Sequence, residues 1–463
     1  MYQRLTSACL CLAILTLGAG AAGAQQYEIV DLGALEGGLR SYALAISPGG
    51  IVAGWASGAQ IGKHPVIWID GVIQDLGAPP GYEVGEARGV NDAGQVAVVA
   101  EGSPQTYHAF LWEDGVWTDL GLMPGLNESM AEDIDAAGRI VGHCFTLGGG
   151  NNVGFLWEDG TMTDLGNLGG YVRPYDINLA GQVVGRCRAT QPGGGLESRG
   201  FLWEAGTMVT LQPLPGHDFT QAFGISEGGR IAGSSWYTIP PYNFSVDRAV
   251  TWLDGGEQIF DLGRTPGPPV CSGEPFYPDN IALAVNDNGL AVGHAQCIAS
   301  GGSLAAFVWQ DGVMHNLNDL IPPGSGWELI KATDVNDAGQ IVGFGFPPGS
   351  EYLHAFFLVP SVTGVDDDAL PARAALLGAH PNPFNPSTTL VFELAMPAQA
   401  RLTVHDAAGR LVSTLVDERR ATGRHRVVWN GKDAHGRTVA SGAYLVRLQV
   451  GASTSAEMIT LVK

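Results

Sequence analysis

Short polar turns followed by apolar runs recur along most of the chain. In VNDAGQIVG, from Val335 to Gly343, a polar turn ends in glycine and an apolar run follows, and near copies begin at Val90, Ile134 and Ile177. A polar side chain that caps its own turn, followed by a glycine free to adopt positive φ, closes a hairpin with a bulge. Aligned on the turn glycine, the motif occurs seven times, at Gly50, Gly94, Gly138, Gly181, Gly229, Gly289 and Gly339.

A second motif follows about 20 residues after each of the first six. FLWEDGVWTDLG, from Phe110, reads as a strand, a tight acidic-glycine turn and another strand. The copies begin at Val66, Phe110, Phe155, Phe201, Val250 and Phe307. Each unit therefore supplies four strands. A repeat of roughly 40 to 50 residues with four strands is typical of a propeller blade, because so small a sheet buries its faces only between neighbours.

The seventh unit lacks a fourth strand. No copy follows HAFFLVP, His354 to Pro360, whereas YEIVDLG, Tyr27 to Gly33, is an unattached copy. We expect this N-terminal strand to complete the last sheet, so that no free edge remains. The predicted fold of residues 25–360 is therefore an all-β, seven-bladed β-propeller closed by the N-terminal strand.

Residues 1–24 have the pattern of a signal peptide. One Arg precedes a short apolar stretch, and Ala22-Gly23-Ala24 gives the small-x-small cleavage pattern. No later stretch approaches the roughly 20 apolar residues of a membrane helix. We therefore expect an exported chain without a transmembrane segment.

The charge of the mature chain is unevenly distributed. Between the predicted cleavage site and Val365 the chain has 12 basic and 37 acidic residues, a net charge of −25. This charge excludes nucleic acid and anionic lipid as favoured partners. The 67 Gly, 27 Pro and 15% charged residues favour many short strands joined by turns.

Three recurring features invite functional readings that we do not adopt. The NDAG and EDG turns lack the ligand spacing of a calcium loop, so we predict no metal and no cofactor. His64, His108 and His354 share one position before the third strand, where Arg199 and Arg248 also occur, and we expect them to form structural hydrogen bonds. Tryptophans share one position of the third strand and are expected to pack between sheets: Trp68, Trp112, Trp157, Trp203, Trp252 and Trp309.

Four cysteines remain in the mature chain, which is bound for an oxidising compartment. Cys271 and Cys297 lie in connections that emerge on one face, and we predict a disulfide between them. Cys144 and Cys187 occupy equivalent positions in neighbouring repeats, too far apart for a disulfide. We expect this second pair to be reduced and buried.

HAFLWEDGVWTDLG, from His108 to Gly121, and INLAGQVVG, from Ile177, resemble the HAF repeat of bacterial extracellular proteins. The resemblance covers about Tyr27 to Pro360. It implies export and a repeat fold, and it implies no established activity.

The composition changes after Pro360. Residues 361–379 contain three consecutive Asp and no periodicity, which is typical of a linker. Residues 380–463 contain alternating segments such as ARLTVHD and GAYLVRLQV, which predict a small Ig-like β-sandwich.

The motifs HPNPFNPST (from His380), DAAGRLV (from Asp406) and WNGKDAHGRTVASGAYLVRL (from Trp429) resemble the C-terminal sorting domain of type IX secretion cargo. The same stretch is similar to the Ig-like domain of flagellar hook-capping proteins. The first resemblance implies the type IX machinery as a partner and the outer surface of a diderm bacterium as the destination. A plain Ig-like spacer is the alternative.

Candidate ligand-binding residues come from the connections of variable length, because loops on a rigid scaffold often carry function. The polar turns lie on one side of the sheets and these connections on the other. The candidates are Tyr82, Tyr171, Trp236, Tyr237, Tyr242, Phe276, Tyr277 and Trp327, with hydrophobic plugs as the alternative reading.

Two functions remain. The first is a secreted or surface propeller that binds a glycan or a protein. The alternative is a carbohydrate-active hydrolase or lyase, which requires two carboxylates, or a His or Tyr with a charge partner, near the axis. No single repeat departs from the others with such a group, so the sequence indicates no catalytic residue and favours binding.

Overall fold

The computed structural model describes residues 25–59, 62–103, 106–148, 152–190, 194–239, 244–264, 278–297, 304–361, 374–380, 387–394, 398–406, 410–420, 423–433, 436–450 and 453–462. They fall into two compact units, one up to Ser361 and one within Val362–Lys463. The predicted signal peptide, residues 1–24, lies outside them. In the described ranges no helix is both long and apolar enough to cross a membrane.

Seven four-stranded antiparallel sheets make up the described part of the first unit, as the repeats predict. Six contain consecutive strands and are numbered sheets 1 to 6. Sheets 1 and 2 contain β2 (Ser41–Ile46), β3 (Val52–Ala56), β4 (His64–Ile69), β5 (Val72–Asp75), β6 (Val84–Val90), β7 (Val96–Gly102), β8 (Thr106–Glu113) and β9 (Val116–Asp119). Sheets 3 and 4 contain β10 (Glu128–Ile134), β11 (Ile140–Phe145), β12 (Val153–Glu158), β13 (Thr161–Asp164), β14 (Gly169–Ile177), β15 (Val183–Thr190), β16 (Leu196–Glu204) and β17 (Thr207–Thr210). Sheets 5 and 6 contain β18 (Phe219–Ile225), β19 (Ile231–Ile239), β20 (Phe244–Leu253), β21 (Gln258–Asp261), β22 (Pro278–Val285), β23 (Ala291–Cys297), β24 (Leu304–Gln310) and β25 (Val313–Asn316).

Sheet 7 joins strands from both ends of the first unit. It contains β26 (Glu328–Val335), β27 (Ile341–Phe346), β28 (His354–Ser361) and β1 (Gln26–Asp31). β1 pairs with β28 in antiparallel register along all six of its residues. Tyr27 is 2% exposed, and its amide donates to the carbonyl oxygen of Leu320 at 2.8 Å. This is the strand order that the unattached YEIVDLG copy predicts.

Local turn chemistry explains the hairpins. All seven turn glycines of the first motif adopt positive φ, between 73° and 90°. In sheet 2, Asn91 Oδ1 accepts hydrogen bonds from the amides of Ala93 and Gln95, both at 3.1 Å. In the second motif, Asp114 and Gly115 have φ of 48° and 84°, as a two-residue type I′ turn requires.

The first strand of every sheet, which we call the inner strand, carries a β-bulge. The ladder skips the residue two positions before the end of the strand, for example Arg88 between Ala87 and Gly89. The predicted bulge therefore lies inside the strand and not at the turn. A bulge leaves one residue unpaired and re-aims its side chain. The skipped residues are Leu44, Arg88, Glu132, Tyr175, Phe223, Leu283 and Thr333.

The polar turns also bond to one another. In order from sheets 1–2 to sheets 7–1, the donors and acceptors are Gly49 N to Asp92 Oδ1 (2.6 Å), Asn91 Nδ2 to Asp135 O (3.0 Å), Arg139 Nη2 to Leu179 O (2.8 Å), Asn178 Nδ2 to Ser226 O (3.1 Å), Gly228 N to Asp287 Oδ1 (2.6 Å), Asn286 Nδ2 to Asn336 O (2.9 Å) and Asn336 Nδ2 to Ser47 O (3.3 Å). The turn motif recurs because each copy closes its own hairpin and also contacts the next sheet.

The recurring tryptophans are core residues, as predicted. Trp68 and Trp252 are at most 1% exposed. Their indole N–H groups donate to the carbonyl oxygens of Leu32 at 2.8 Å and Gln212 at 2.9 Å. Trp112, Trp157 and Trp203 are also buried, and Trp309 is half-buried.

The second unit is a two-sheet sandwich. One sheet contains β29 (Ala374–His380), β30 (Thr388–Leu394) and β33 (Gly423–Trp429), and the other contains β31 (Ala398–Asp406), β32 (Leu411–Arg420), β34 (Gly442–Val450) and β35 (Ser453–Leu461). Buried Trp429 meets Tyr444 edge-on at 5.1 Å in a core that both sheets share. The sandwich starts before the predicted boundary at residue 380, because residues 374–379, which the sequence assigns to the linker, belong to β29, and β29 pairs with β30.

Cys144 and Cys187 are both buried and free, as predicted. Cys271 lies outside the described residues, and the backbone of Cys297 ends β23. The disulfide between Cys271 and Cys297 stays a prediction.

Candidate functional site

The recurring histidines form structural hydrogen bonds to aspartates across the third and fourth strands. His64, His108 and His354 place Nδ1 at 3.0–3.2 Å from a carboxylate oxygen of Asp75, Asp119 and Asp31. The same aspartates cap the turn that follows; Asp119 Oδ1, for example, accepts from the amide of Gly121 at 2.8 Å. The predicted hydrogen-bonding role of these histidines is confirmed.

The seven bulge residues, one from each inner strand, line one cavity of about 230 Å³. We call it the bulge cavity. Tyr175 and Phe223 stack with their centroids 5.4 Å apart, and Leu44 and Leu283 add apolar surface. Arg88, Glu132 and Thr333 supply the polar side chains of this set. One register position therefore supplies aromatic, aliphatic, hydroxyl and charged groups to one space.

Arg88 and Glu132 belong to a charged network beside the bulge cavity. Arg88 Nη1 lies 2.8 Å from Glu132 Oε2, and Arg88 Nη2 lies 3.0 Å from Glu86 Oε2. Glu132 Oε1 is 3.4 Å from Nδ1 of His143, a fully buried residue. Burial, together with Arg173 and Arg88, lowers the pKa of His143 to about 3, so its imidazole is neutral at neutral pH.

Three aspartates in the cavity wall link neighbouring sheets. Asp176 Oδ2 accepts from the amide of Ile225 at 2.6 Å, and Asp334 Oδ2 accepts from that of Ile46 at 2.8 Å. Asp133 makes the equivalent, longer contact with the next sheet. Burial raises the pKa of Asp334 to about 7. Because their oxygens accept backbone amides, these carboxyls serve as sheet links. Asp133 and Asp176 also share a hydrogen bond between their carboxyl groups, and burial raises the pKa of both.

A second cavity, of about 260 Å³, lies at the end of sheet 5 opposite its polar turns. We call it the sheet 5 cavity. Tyr237 enters it from the end of β19, and the His217 ring lies 5.0 Å from the Tyr237 ring at 59°. Arg248 Nη2 is 2.6 Å from Asp261 Oδ2. The lining residues are Leu214, Pro215, His217, Tyr237, Val246, Arg248, Asp261 and Arg264.

The structure places the described candidates in different surroundings. Tyr237 lines the sheet 5 cavity, and its neighbour Trp236 stacks on Phe219 at 5.3 Å. Tyr171 lies under the Arg186 guanidinium, 5.8 Å from it.

Tyr82 and Trp327 pack against hydrophobic clusters, where they contact Phe110 and Phe356 edge-on. Their surroundings fit the alternative reading as plugs. Tyr242, Phe276 and Tyr277 lie outside the described residues.

The bulge residues were missed from the sequence. They stand on the inner strands, whereas the predicted ligand-binding residues were taken from the connections between strands. A usable signal was present, because this position varies between Leu, Arg, Glu, Tyr, Phe and Thr while the preceding residue is always Ala or Pro.

Comparisons with known proteins support the second unit most directly. The family model of the FlgD Ig-like domain matches residues 382–454, within the sandwich. No curated protein matches the chain.

Several solved structures are similar to the chain at low identity. PorZ, a bacterial surface component of the type-IX secretion system of Porphyromonas gingivalis, is 14% identical with a TM-score of 0.38, over 91% of this chain. This chain spans only 59% of PorZ. The β-propeller domain of the Trilobed protease from Pyrococcus furiosus is 9% identical, with a TM-score of 0.44 over 72% of this chain and 93% of that domain. YCF48 bound to a D1 peptide is 14% identical, with a TM-score of 0.41 over 74% of this chain and 97% of its own.

All three TM-scores are below 0.5, so the fold assignment rests on the sheets themselves. The chain is all-β: four-stranded antiparallel sheets consistent with a β-propeller, followed by an Ig-like domain.

Proposed function

We propose that the first unit is a seven-bladed β-propeller, closed by its N-terminal strand, that binds a glycan or a protein ligand. We further propose that the chain is exported by the type IX machinery through its C-terminal Ig-like domain and acts at the outer surface of a diderm bacterium. The pairing of β1 with β28 and the bond from Asn336 to Ser47 support the closed ring.

The bulge cavity is the observation that carries the binding role. Its seven lining positions are equivalent, and the small residues and turns around them repeat from sheet to sheet. Repeated residues build the scaffold, whereas differences at one half-buried register position that lines a cavity serve recognition. Asp176 and Asp334 in its wall accept backbone amides from the next sheet, which gives these carboxyls a structural role.

Binding is tested by passing the full mature chain over a panel of immobilised polysaccharides and measuring both retention and product release. We expect retention on at least one polysaccharide without release of shorter products. Replacing Tyr175 and Phe223 together by Ala is expected to abolish this retention, because their stacked rings, 5.4 Å apart, supply contact area in the bulge cavity at low entropic cost.

Val72→Ala, on an outer strand where Val72 is 70% exposed, serves as the control and should bind like the parent. The melting temperature of each variant separates a lost contact from a lost fold, which matters because the Tyr175 and Phe223 rings also stack on each other. Release of oligosaccharides would instead establish the hydrolase or lyase.

Export is tested separately with a fusion. Residues 374–463, which include the early strand β29, are attached to a neutral passenger with a signal peptide in a host that has type IX machinery. We expect the passenger at the cell surface or in the medium. A passenger that stays in the periplasm would show that the domain is an Ig-like spacer.

A further inference from the structure

Sheet 5 departs from the other sheets at Tyr237 and Arg264, which meet in its cavity with Arg248, whose position holds Arg199 in sheet 4. Tyr237 stands six residues after the start of the second strand, Arg248 precedes the third-strand core, and Arg264 follows the fourth-strand D-L-G. The residues equivalent to Tyr237 are Gly58, Gly102, Thr146, Ala189, Cys297 and Pro347. Those at the Arg264 position after a D-L-G are Ala34, Ala78, Leu122 and Asn167. Tyr237 and Arg264, which have no counterpart among these equivalent residues, therefore lie in one cavity.

The polar groups of this cavity are mostly hydrogen-bond donors. Asp261 holds the Arg248 guanidinium at 2.6 Å, as it holds His in other sheets, and leaves the remaining N–H groups of Arg248 unused by that pair. Arg264 is exposed and forms no ion pair with a described residue. The buried Nδ1 of His217 has no hydrogen-bond partner in the described part of the chain. Within the lining, two guanidiniums face the one carboxylate of Asp261, and the Asp247 carboxyl lies near His217 outside the lining.

The Tyr237 ring adds a flat apolar surface beside these donors. It is half-buried, and the His217 ring supports it from one side. The cavity, at about 260 Å³, falls just below the roughly 300–1,000 Å³ of pockets for drug-sized ligands. One sugar ring matches that scale. A sugar acid also pairs a C–H face with an anionic group, as the cavity pairs an aromatic ring with guanidiniums.

We propose that the sheet 5 cavity binds an anionic sugar unit of an acidic polysaccharide, one that carries a carboxylate or a sulfate. The inference rests on the proposed binding function and assigns it a second site, whose lining shares no residue with the bulge cavity, with its own ligand class. The planar Arg248 and Arg264 side chains donate to the anionic group in the forked geometry that guanidiniums favour. Tyr237 packs against the sugar ring.

The acidic field of the rest of the unit sets the salt dependence. A net charge of −25 before Val365 repels a polyanion over long range. At 0.15 M salt the Debye length is about 8 Å, so this repulsion is screened while contacts within the cavity persist. We therefore expect affinity to rise between low salt and about 0.15 M, opposite to the usual behaviour of a basic binding surface.

The test measures affinity of the full mature chain at 0.15 M salt for polygalacturonate, carboxyl-reduced polygalacturonate, dextran sulfate, dextran and poly-glutamate. We expect at least tenfold tighter binding to an acidic polysaccharide than to its neutral counterpart. Comparing polygalacturonate with dextran sulfate shows whether the cavity prefers a carboxylate or a sulfate. Arg264→Gln should weaken acidic binding about tenfold, and Tyr237→Ala should weaken it similarly. Arg188→Gln, an exposed residue of sheet 4, is the matched charge control and should bind like the parent.

Each other outcome has a distinct meaning. Equal affinity for the acidic and neutral forms would overturn the anionic ligand and leave the glycan-binding function intact. Poly-glutamate bound as tightly as polygalacturonate would overturn the sugar assignment. Equal losses in Arg188→Gln and Arg264→Gln would show general charge attraction and overturn the site. Retention on none of the polysaccharides would overturn both this inference and glycan binding.

Discussion

A mature chain that begins at Ala34 is expected to lose most of the stability of its first unit. The deletion removes all six residues of β1 and their ladder to β28, together with buried Tyr27 and Leu32. Burying one large apolar side chain contributes about 1.5–3 kcal/mol, and a domain is stable by only about 5–15 kcal/mol. The uncovered β28 is also a template for pairing with other chains. Thermal unfolding and light scattering, compared with a chain that begins at Gln25, measure both effects.

A peptide of residues 26–33 added in trans is the matched control for this deletion. It restores the missing strand without restoring the covalent connection, so the melting temperature should rise with peptide concentration. The same peptide with its residue order scrambled should have no effect. A shortened chain that melts like its parent would show that the last sheet does not depend on the N-terminal strand.

Trp68→Ala is expected to lower the free energy of unfolding of the first unit by about 3–5 kcal/mol, the usual range for a buried Trp replaced by Ala. Trp68 is 1% exposed and packs in one cluster with Leu32, Val342 and Ala355, which come from distant parts of the sequence. The variant also loses the hydrogen bond from the indole to Leu32 O at 2.8 Å. Denaturant unfolding followed at two wavelengths measures the change.

Trp309→Ala is the control for Trp68→Ala, because Trp309 holds the same repeat position and is only half-buried. Trp309→Ala should lower the free energy of unfolding clearly less than Trp68→Ala does, because part of the Trp309 side chain is already in contact with water. If the two variants lost the same free energy of unfolding, the cluster around Trp68 would not join sheet 1 to sheet 7. A larger cost for Trp309→Ala would contradict the burial of the two rings.

The strands and turns were predictable because their chemistry is local. The turn glycine of the first motif adopts positive φ in all seven copies. In sheet 2, for example, the Asn91 side chain caps the turn that contains Gly94. The Asp–Gly pairs specify type I′ turns in the same way. The histidine role was also predictable, since His108 and Asp119 lie on adjacent strands of one hairpin.

The start of the second unit was not predictable from pattern. The sequence of Ala374–His380, AALLGAH, has no polar–apolar alternation, so it resembles the spacer before it. It is a strand because β30 offers a partner for its backbone. Pairing of this kind depends on a segment further along the chain and leaves no local signature.

The sequence by itself determined how many strands each repeat supplies and where their turns lie, since both follow from contacts within one repeat. It also indicated the core tryptophans, because one Trp position recurs in the third strand of the repeats. Only the tertiary structure decided which positions form cavities. Residues as distant as Leu44 and Thr333 line one cavity, because a bulge re-aims one side chain on each of seven inner strands. In the sequence, Tyr237 and Arg264 look like unrelated irregularities, and Arg248 like one more copy of a recurring position. They meet because β19 ends, β20 begins and β21 ends at the same end of sheet 5.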